Sequence, residues 1–446
     1  MARDAGHPAL EAMQAARPRS RHAHLAGDVA LVAETAGLYR LDDAQAATLA
    51  EGLMSGDAST TAALQRLGLD APPSLPPAAD LTRPVRALAL TVSQTCNLAC
   101  TYCYAAGGSF GGPDTRMGWD VARRAIDALI AATPPGGAVK IAFMGGEPAI
   151  ARDLIRQAVD HARRRAAARA VSVGFSTTTN ATLVTAEDAA FLAAHRFAVT
   201  VSIDGARAAN DRLRPARGGA GSFDRVAQGV AHLARHAGRI ALSARVTATP
   251  HNLDLAETMT ALGAMGFTSV GVSPMIASPT GQGALAAADF ETLLAQMMAC
   301  GEAWMAATLE GGHHPFANLA TALTELHRGQ PRSHGCGAAR DYLALDAAGN
   351  YSACHRFVND DAGAMGSLGN GIDHGRRRSF LAARAVEAQA PCATCWARRL
   401  CGGGCHHEVI NAGRPACDYV RGWLHYALTA YSRLATARPD WFDGRA

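Results

Sequence analysis

Short apolar strands alternate with amphipathic helices from residue 86 to residue 274, and this alternation constrains the fold more than any other feature of the chain. Runs of β-type residues predict six strands, at 86–93, 139–144, 171–178, 198–203, 241–247 and 269–274. Helical periodicity predicts helices between them, at 119–132, 152–168, 186–195, 223–236 and 253–265. Strands that alternate with helices pair in parallel through right-handed crossovers. The sequence therefore predicts an α/β fold with a partial (β/α)6 barrel, whose active-site groups gather at the carboxyl ends of the strands.

Composition and charge restrict the class of protein. Hydrophobic residues make up 49% and charged residues 18% of the 446 residues, which is typical of a folded chain of two or three domains. A net charge of +4 is too small for a dedicated nucleic-acid-binding protein, and the arginine runs 163–165 and 376–378 are predicted to be solvated helix faces. No apolar stretch has the length of a membrane span, and the first 22 residues lack the apolar core of a secretory signal. We expect a cytoplasmic protein without a nucleic-acid or membrane partner.

The N-terminal region is set apart by prolines. Five of them lie within residues 71–84, where they predict a linker, because proline neither continues a helix nor donates to a sheet. Before this linker, alternation at 29–41 predicts a hairpin, and helices are predicted at 42–54 and 59–67. A hairpin combined with helices in so short a unit favours a winged-helix-like module at 1–70.

The remaining chain is divided by its cysteines. We expect the barrel at 85–285, a helical connection at 286–330 and a glycine-rich domain of loops around metal at 331–446. Of eleven cysteines, three follow the first predicted strand and seven lie in the last quarter, at 336, 354, 392, 395, 401, 405 and 417. In a reducing compartment such grouping favours metal ligation over disulfides. The remaining one, Cys300, lies in a helical run and is predicted to be a small buried hydrophobe.

The spacing Cys96-x3-Cys100-x2-Cys103 immediately follows the first predicted strand. A [4Fe–4S] cluster has four irons and usually four thiolate ligands. Three cysteines on one loop leave one iron open to a ligand that carries an amine and a carboxylate. The alternative is a structural zinc site, which would need a fourth ligand, and no further Cys or His lies close by in the sequence.

With Tyr102 before its last cysteine, this motif resembles the signature of the radical S-adenosylmethionine (SAM) superfamily. The resemblance implies a [4Fe–4S] cluster that binds SAM and releases a 5′-deoxyadenosyl radical. The segment Met144-Gly-Gly-Glu-Pro148 resembles the GGEP element of the same family. In this family Glu147 would meet the methionyl ammonium, Ser202 the ribose and Arg245 the methionyl carboxylate. The implied cofactor-binding residues are Tyr102, Gly145, Gly146, Glu147, Asn180, Ser202 and Arg245.

The seven C-terminal cysteines are similar in spacing to the SPASM extension, and with the barrel this resemblance covers residues 85–425. It implies two auxiliary [4Fe–4S] clusters, and three clusters in all. The outer one would be held by Cys392, Cys395, Cys401 and Cys417, and the inner one by Cys336, Cys354 and Cys405. The inner set lacks a fourth cysteine. The fourth iron of that cluster would therefore be open, or it would be bound by the nearby Asp341 or by a substrate thiolate. A pair of structural zinc sites is the alternative, and His406 and His407 are either second donors to a cluster or exposed.

Auxiliary clusters suit net oxidation of a peptide, because a neighbouring cluster can accept the second electron. We therefore expect a Cys-containing peptide or small protein as the substrate. We also expect an external electron donor such as flavodoxin or ferredoxin. Asp204 and Asp211, at and just after a strand end, are candidate catalytic bases by position alone.

The reaction is predicted from local similarity. The segments 401–408 and 414–419 look closest to maturases of the quinohemoprotein amine dehydrogenase type. That likeness implies thioether cross-links between a cysteine sulfur and a carbon of the peptide, with the N-terminal module capturing the precursor by adding a β-strand. The alternatives are a sulfatase-type maturase that makes formylglycine, a maturase that forms carbon–carbon or ether cross-links, and a non-catalytic metal-binding scaffold.

Overall fold

A computed structural model describes residues 8–70, 84–277 and 281–445. Most of the predicted linker 71–84 lies outside the described residues, as do the first seven residues of the predicted N-terminal module. Among the described residues no helix combines the length and hydrophobicity needed to cross a bilayer.

Six parallel strands form the centre of the molecule. They are β4 (Ala87–Ser93), β5 (Ala138–Gly145), β6 (Ser172–Thr179), β7 (Ala198–Ser202), β8 (Ala241–Ala248) and β9 (Val270–Pro274). Their order in the sheet is their order in the chain, and every neighbouring pair is parallel. The predicted mixed α/β fold with a parallel sheet is confirmed, and each predicted strand lies within one residue of an observed one at both ends.

Helices cover this sheet. They are α4 (Trp119–Ala131), α5 (Arg152–Ala167), α6 (Ala186–Ala194), α7 (Arg207–Leu213), α8 (Phe223–Ala234) and α9 (Leu255–Ala264). The prediction missed only α7, which is too short to give a periodic signal. The start of α6 is fixed by a capping box, in which the side chains of Thr185 and Asp188 each accept from the other's backbone N–H.

A stack of aromatic rings fills the space beneath the sheet. Phe143, Phe175 and Phe197 are buried, and their ring centroids are 5.4–6.4 Å apart. Burying three such rings stabilises the fold by about 1.5–3 kcal/mol each. They hold β5, β6 and the start of β7 in register, so the carboxyl ends of these strands lie at one edge.

The C-terminal region adds four strands to the same sheet. They are β10 (Tyr342–Leu345), β11 (Asn350–Ser352), β12 (Ala364–Ser367) and β13 (Gly371–Ile372). Strand β10 pairs with β4 in parallel, and the later strands pair in antiparallel fashion outward from it. The sheet therefore has ten strands and joins the two cysteine regions.

The N-terminal region folds as a small separate sheet with helices. Its elements are α1 (Pro8–Ala15), β1 (Ala23–Ala26), β2 (Val29–Val32), β3 (Gly37–Arg40), α2 (Asp43–Met54) and α3 (Asp57–Arg66). The predicted hairpin and both predicted helices are present, whereas α1 and β1 were not predicted. The three strands are antiparallel in the order β1-β2-β3, so β3 lies at an edge. The assignment as a winged-helix-like module stays a prediction.

Six more α-helices complete the part of the chain that the structure describes. They are α10 (Ala287–Leu309), α11 (Ala317–Arg328), α12 (His374–Arg384), α13 (Arg398–Cys401), α14 (His406–Ala412) and α15 (Cys417–Ala437). The expected helical connection contains α10 and α11, and Cys300 in α10 is buried as predicted. The expectation of loops throughout the last domain was wrong, because the apolar face of α15 packs against α1, α10 and α11 and makes a long helix there.

One basic run differs from its prediction. Arg376 and Arg378 are exposed, but Arg377 is buried. Its Nε donates to the carbonyl of Ala339 at 2.9 Å and its Nη2 to that of Arg340 at 3.3 Å. The run 376–378 is therefore a solvated face only in part, because the middle arginine satisfies carbonyls of the loop that precedes β10. The run 163–165 is exposed as predicted.

Candidate active site

The first cysteine loop begins at the carboxyl end of β4. The thiols of Cys96, Cys100 and Cys103 are free and partly accessible. Burial raises the pKa of the Cys100 thiol to about 12; the positive charge of Arg214 opposes this rise, and the neighbouring thiols of Cys103 and Cys96 add to it. The three thiols of the loop are thus within electrostatic range of one another.

The glycine pair at the end of β5 packs directly on this loop. A Cβ atom at Gly145 would lie 2.2 Å from the carbonyl oxygen of Ser93, and one at Gly146 would lie 2.4 Å from that of Thr95. The backbone N–H groups of Gly146 and Glu147 donate to these same two carbonyls at 2.8 and 3.0 Å. Gly145 also has a φ of 151°, which glycine adopts without strain. Only glycine allows so close an approach, and the pair therefore positions the cysteine loop.

The carboxylate of Glu147 is fully buried and accepts three hydrogen bonds. It accepts from the hydroxyl of Thr179 at 2.6 Å, from the N–H of Asn180 at 2.7 Å and from the N–H of Ala149 at 3.0 Å. Burial raises the pKa of Glu147, and these donors oppose the rise. The side-chain amide of Asn180 lies 3.7 Å from the sulfur of Cys96. Glu147 thus ties β5 and β6 to the cysteine loop, and its contact with a methionyl ammonium stays a prediction.

A buried triad supports the loop from the other side. Tyr102 donates its hydroxyl to Asp204, and Nη1 of Arg214 donates to the hydroxyl of Tyr102 at 2.7 Å. Asp204 is inaccessible to solvent, and its second oxygen accepts from the N–H of Thr247 at 3.0 Å. Burial raises the pKa of Asp204, while the charge of Arg214 opposes the rise. These contacts favour a positioning role for Asp204, and its role as a base stays a prediction.

Asp211 lies in α7, and its side chain is hydrogen-bonded to the start of α8. Its Oδ1 accepts from the backbone N–H groups of Ser222 and Phe223, both at 2.7 Å. This carboxylate therefore caps a helix, and its role as a base likewise stays a prediction.

Ser202, the last residue of β7, is the partner in register of Arg245 in β8. Desolvation lowers the pKa of Arg245, the charge of Glu408 opposes this shift and the charge of Arg356 adds to it. Arg245 is therefore within electrostatic range of two side chains from the second cysteine region. The predicted contacts of Ser202 and Arg245 with SAM stay predictions.

Four of the C-terminal thiols form an outer group. Burial raises the pKa of Cys401 to about 11, and the thiols of Cys392, Cys395 and Cys417 add to the rise. These are the four residues that the sequence assigns to an outer cluster. They line one cavity that is open to solvent and that Cys405 also borders.

The other three thiols form an inner group. Burial raises the pKa of Cys354 to about 12, and the thiols of Cys405 and Cys336 add to the rise. Asp341, a candidate fourth ligand, is half exposed and paired with Arg340 at 2.7 Å.

Tyr342 was missed by the sequence reasoning, although it directly follows Asp341. Burial raises its pKa, and the thiols of Cys354 and Cys336 add to the rise. The thiol of Cys405 also contributes. The phenol of Tyr342 therefore lies among the inner thiols, where no cysteine-spacing rule would have placed a tyrosine.

The two histidines after Cys405 are not exposed. His406 is buried, and His407 is half-buried. Burial lowers the pKa of each to about 4, with Arg384 adding to the shift at His406 and Arg356 at His407. The alternative of two exposed histidines is therefore wrong, because α12 and the loop after Cys354 pack over them.

Trp396, next to Cys395, attaches the N-terminal region to the outer group. Its ring stacks on that of His24 with centroids 3.8 Å apart, and its Nε1 donates to the carbonyl of Ala16 at 2.9 Å. His24 lies 2.9 Å from His425 on α15. No local signal identifies this contact, because its members lie at opposite ends of the chain.

Two buried arginines reinforce the same contact. Arg398 donates to Glu34 and, at 2.6 Å, to the carbonyl of Arg21. Arg399 pairs with Glu387 and lies 3.8 Å from Glu34. Both arginines have side chains no more than 3% exposed. The segment between Cys395 and Cys401 is therefore held against the N-terminal region by Arg398 and Arg399, which both approach Glu34.

The buried imidazole of His24 predicts a pH effect on stability. Desolvation, with the charges of His425 and Arg19, lowers its pKa from 6.5 to about 3. Between pH 6.5 and about pH 3, His24 is protonated in the unfolded chain but not in the folded one. The free energy of unfolding therefore falls as the pH drops through this range. At pH 5.5 the loss is about 1.4 kcal/mol relative to neutral pH. Urea unfolding at pH 7.5 and 5.5 measures it.

The control for this prediction is His24→Phe, which retains a ring against Trp396 and cannot be protonated. Its loss of stability between the two pH values is expected to be smaller than that of the unsubstituted protein by about 1.4 kcal/mol. Equal losses in the two proteins would contradict the assignment to His24.

The donor sets are compatible with iron–sulfur clusters. Thiolates are the usual ligands of [4Fe–4S] clusters, and the structure groups free thiols as three, four and three. Within the described ranges, no three His, Cys, Asp or Glu side chains are placed to share a single metal ion. The ligands of a cubane cluster bind to separate irons and therefore lie further apart than those of one ion. The assignment of all ten cysteines as ligands stays a prediction.

The barrel matches a known family. Residues 90–279 match the model of the radical SAM superfamily. This segment contains the first cysteine loop, the glycine pair and the triad beneath them.

Curated relatives match this chain over part of their length. An uncharacterised protein of Methanocaldococcus jannaschii is 34% identical over 30% of this chain and 43% of its own. A GTP 3′,8-cyclase of Xanthomonas campestris is 32% identical over 33% of this chain and 42% of its own. A serine-type anaerobic sulfatase-maturating enzyme of Klebsiella aerogenes is 28% identical over 34% and 38%. The chain thus spans less than half the length of each of these relatives.

Two solved structures are similar over most of their length. Native anSMEcpe with bound AdoMet and Cp18Cys peptide has a TM-score of 0.67 at 18% identity, covering 79% of this chain and 99% of that one. Streptococcus suis SuiB bound to the precursor peptide SuiA has a TM-score of 0.54 at 14% identity, covering 87% and 94%. At these identities the likeness shows a shared fold.

Proposed function

Because residues 90–279 match the model of the radical SAM superfamily, we propose that this protein is an enzyme that cleaves SAM and modifies a peptide or small protein through the resulting radical. The observation that carries the proposal is the three-thiol loop held by the glycine pair after β5, together with two further groups of thiols. A lone SAM-cleaving site would need only the first of these.

At the first loop, Cys96, Cys100 and Cys103 would hold a [4Fe–4S] cluster, which when bound supplies the electron that cleaves SAM. The chain's own contribution is to fix these ligands. Asn180 donates toward Cys96, and the buried pair of Tyr102 and Arg214 lies beneath Cys100. The predicted SAM contacts of Gly145, Gly146, Glu147, Ser202 and Arg245 belong to this proposal.

The outer and inner groups would hold two auxiliary clusters, which makes three in all. The outer group offers four thiols and the inner group three. At the inner group, Tyr342 lies beside Cys354, whereas Asp341 is paired with Arg340. A cysteine of the substrate would then be free to bind at the incomplete inner set. An external donor, flavodoxin or ferredoxin, would supply electrons.

The reaction we infer is thioether cross-linking of a Cys-containing precursor, of the type known for quinohemoprotein amine dehydrogenase maturation. Three observations support it: the incomplete inner thiol set, the C-terminal segments 401–408 and 414–419, and the N-terminal sheet. Within the described residues β3 pairs only with β2, so its other edge can accept an extended peptide strand.

The test is anaerobic co-expression with a short Cys-containing precursor encoded beside the enzyme. Each thioether removes two hydrogens from the peptide and one thiol from reaction with iodoacetamide. Mass spectrometry of the alkylated peptide is expected to show both changes. An unchanged mass, with an enzyme that still forms 5′-deoxyadenosine, would contradict the proposal.

A sulfatase-type maturase is the second candidate, favoured by the likeness of the barrel segment to the Klebsiella enzyme. A short CxPxR-like peptide separates the two candidates. Formylglycine formation would create an aldehyde that reacts with a hydrazide and would remove the cysteine sulfur. Carbon–carbon or ether cross-links also remove two hydrogens, but they leave every thiol open to alkylation.

A further inference from the structure

Arg356 lies between the two cysteine regions. Its Cζ is 5.1 Å from the ring centroid of Tyr104, which directly follows Cys103 in the first loop. Its Nη1 is 3.9 Å from the sulfur of Cys405 and 2.7 Å from Oε1 of Glu408. One guanidinium thus contacts both the first loop and the inner thiol group.

The pair of Arg356 and Glu408 is largely sequestered from solvent, with 19% and 15% of their side chains exposed. Charges in such a place are weakly screened and act on whatever lies next to them. Arg356 directs an N–H toward the sulfur of Cys405. Glu408 holds the guanidinium in this position and offsets part of its charge.

Hydrogen bonds to the ligand sulfurs and nearby charges are two of the factors that set the reduction potential of an iron–sulfur cluster. A cation that donates to a thiolate stabilises the reduced cluster, which carries one more negative charge. A carboxylate beside that cation acts in the opposite direction. The two members of this ion pair should therefore shift the potential with opposite signs.

We propose that Arg356 is a positioning residue which raises the reduction potential of the inner cluster through its contact with Cys405, and that Glu408 limits this rise. The proposal rests on the proposed function, because it needs a cluster at Cys336, Cys354 and Cys405. Arg356 contacts the first cysteine loop and the inner thiol group, but it belongs to neither cysteine motif.

The experiment is a potentiometric titration of the reconstituted full chain, followed by electron paramagnetic resonance, with iron counted in each variant. Arg356→Gln is expected to weaken electron acceptance by the inner cluster about tenfold, which corresponds to a potential lower by about 59 mV. Arg356→Lys retains the charge and is expected to shift less. Glu408→Gln is expected to shift the potential upward.

The matched control is Arg433→Gln, which breaks another arginine–glutamate pair, to Glu302 at 2.8 and 3.0 Å, between α15 and α10. It is expected to leave the potential unchanged. A merely structural role for Arg356 would not give opposite signs for Arg356→Gln and Glu408→Gln.

Equal potentials in Arg356→Gln and the unsubstituted protein, at equal iron content, would overturn the proposal and leave the proposed function intact. If Arg356→Gln fails to assemble the inner cluster, Glu408→Gln decides: a raised potential supports the proposal, and an unchanged one overturns it. An unsubstituted protein that binds iron only at the first loop would overturn both proposals.

Discussion

Replacing Cys96, Cys100 and Cys103 together by alanine is expected to abolish the formation of 5′-deoxyadenosine from SAM and to remove about four irons per chain. The loop offers three thiols, and the contacts made by Asn180 and Arg214 orient these thiols without being able to replace them. Anaerobic reconstitution, reduction by dithionite and quantification of 5′-deoxyadenosine and iron measure both effects.

Cys300→Ala is the matched control. Its thiol is buried in α10 and belongs to none of the three thiol groups. The variant is expected to retain iron and SAM cleavage in full and to lose about 1 kcal/mol of stability. Persistent cleavage in the triple variant would contradict the assignment of the first loop.

The second large effect concerns Trp396→Ala, which is expected to lower the free energy of unfolding by about 3–5 kcal/mol. Only 1% of the tryptophan is exposed, and it fills the space between His24 and the outer thiol group while donating to Ala16. Its loss opens a cavity and leaves a buried carbonyl without its donor. Urea unfolding measures the change, and limited proteolysis between the N-terminal region and residue 84 reports release of that region.

Trp396→Phe separates the two parts of this effect. Phenylalanine retains a ring against His24 but cannot donate to Ala16, so a smaller loss of about 1–3 kcal/mol is expected. Equal unfolding midpoints for Trp396→Ala and the unsubstituted protein would show that the N-terminal contact does not stabilise the fold.

The strands and helices of the barrel could be predicted because their signals are local. Each strand is a short run of β-type residues such as 139–144, and each crossover helix has its own amphipathic period. The helix at Cys417–Ala437 was not predicted, because the glycines and cysteines before it favour turns and its stability comes from packing against α1, α10 and α11. Packing partners far away in the sequence leave no trace in a local pattern.

In the candidate site, too, residues that form local motifs could be predicted, whereas contacts between distant segments could not. Motif spacing predicts the three thiols of the first loop and the glycine pair, because both depend on residues that are neighbours in the chain. The partners of Asp204 were not predictable, since Tyr102 and Arg214 reach it from two other segments. Similarly, Arg356 carries no motif and becomes notable only through its distances to Tyr104 and Cys405.

The parallel pairing of β10 with β4 has a consequence for how this protein can be divided. Leu343 and Leu345 of β10 are hydrogen-bonded neighbours of Leu88 and Leu90, and all four side chains are buried. Without β10, the first strand of the barrel would expose an apolar edge, which is a template for aggregation. The C-terminal region therefore covers the edge of the barrel sheet and also contains seven cysteines. A chimera that takes this region from a related enzyme would have to keep the pairing of β10 with β4 in order to fold.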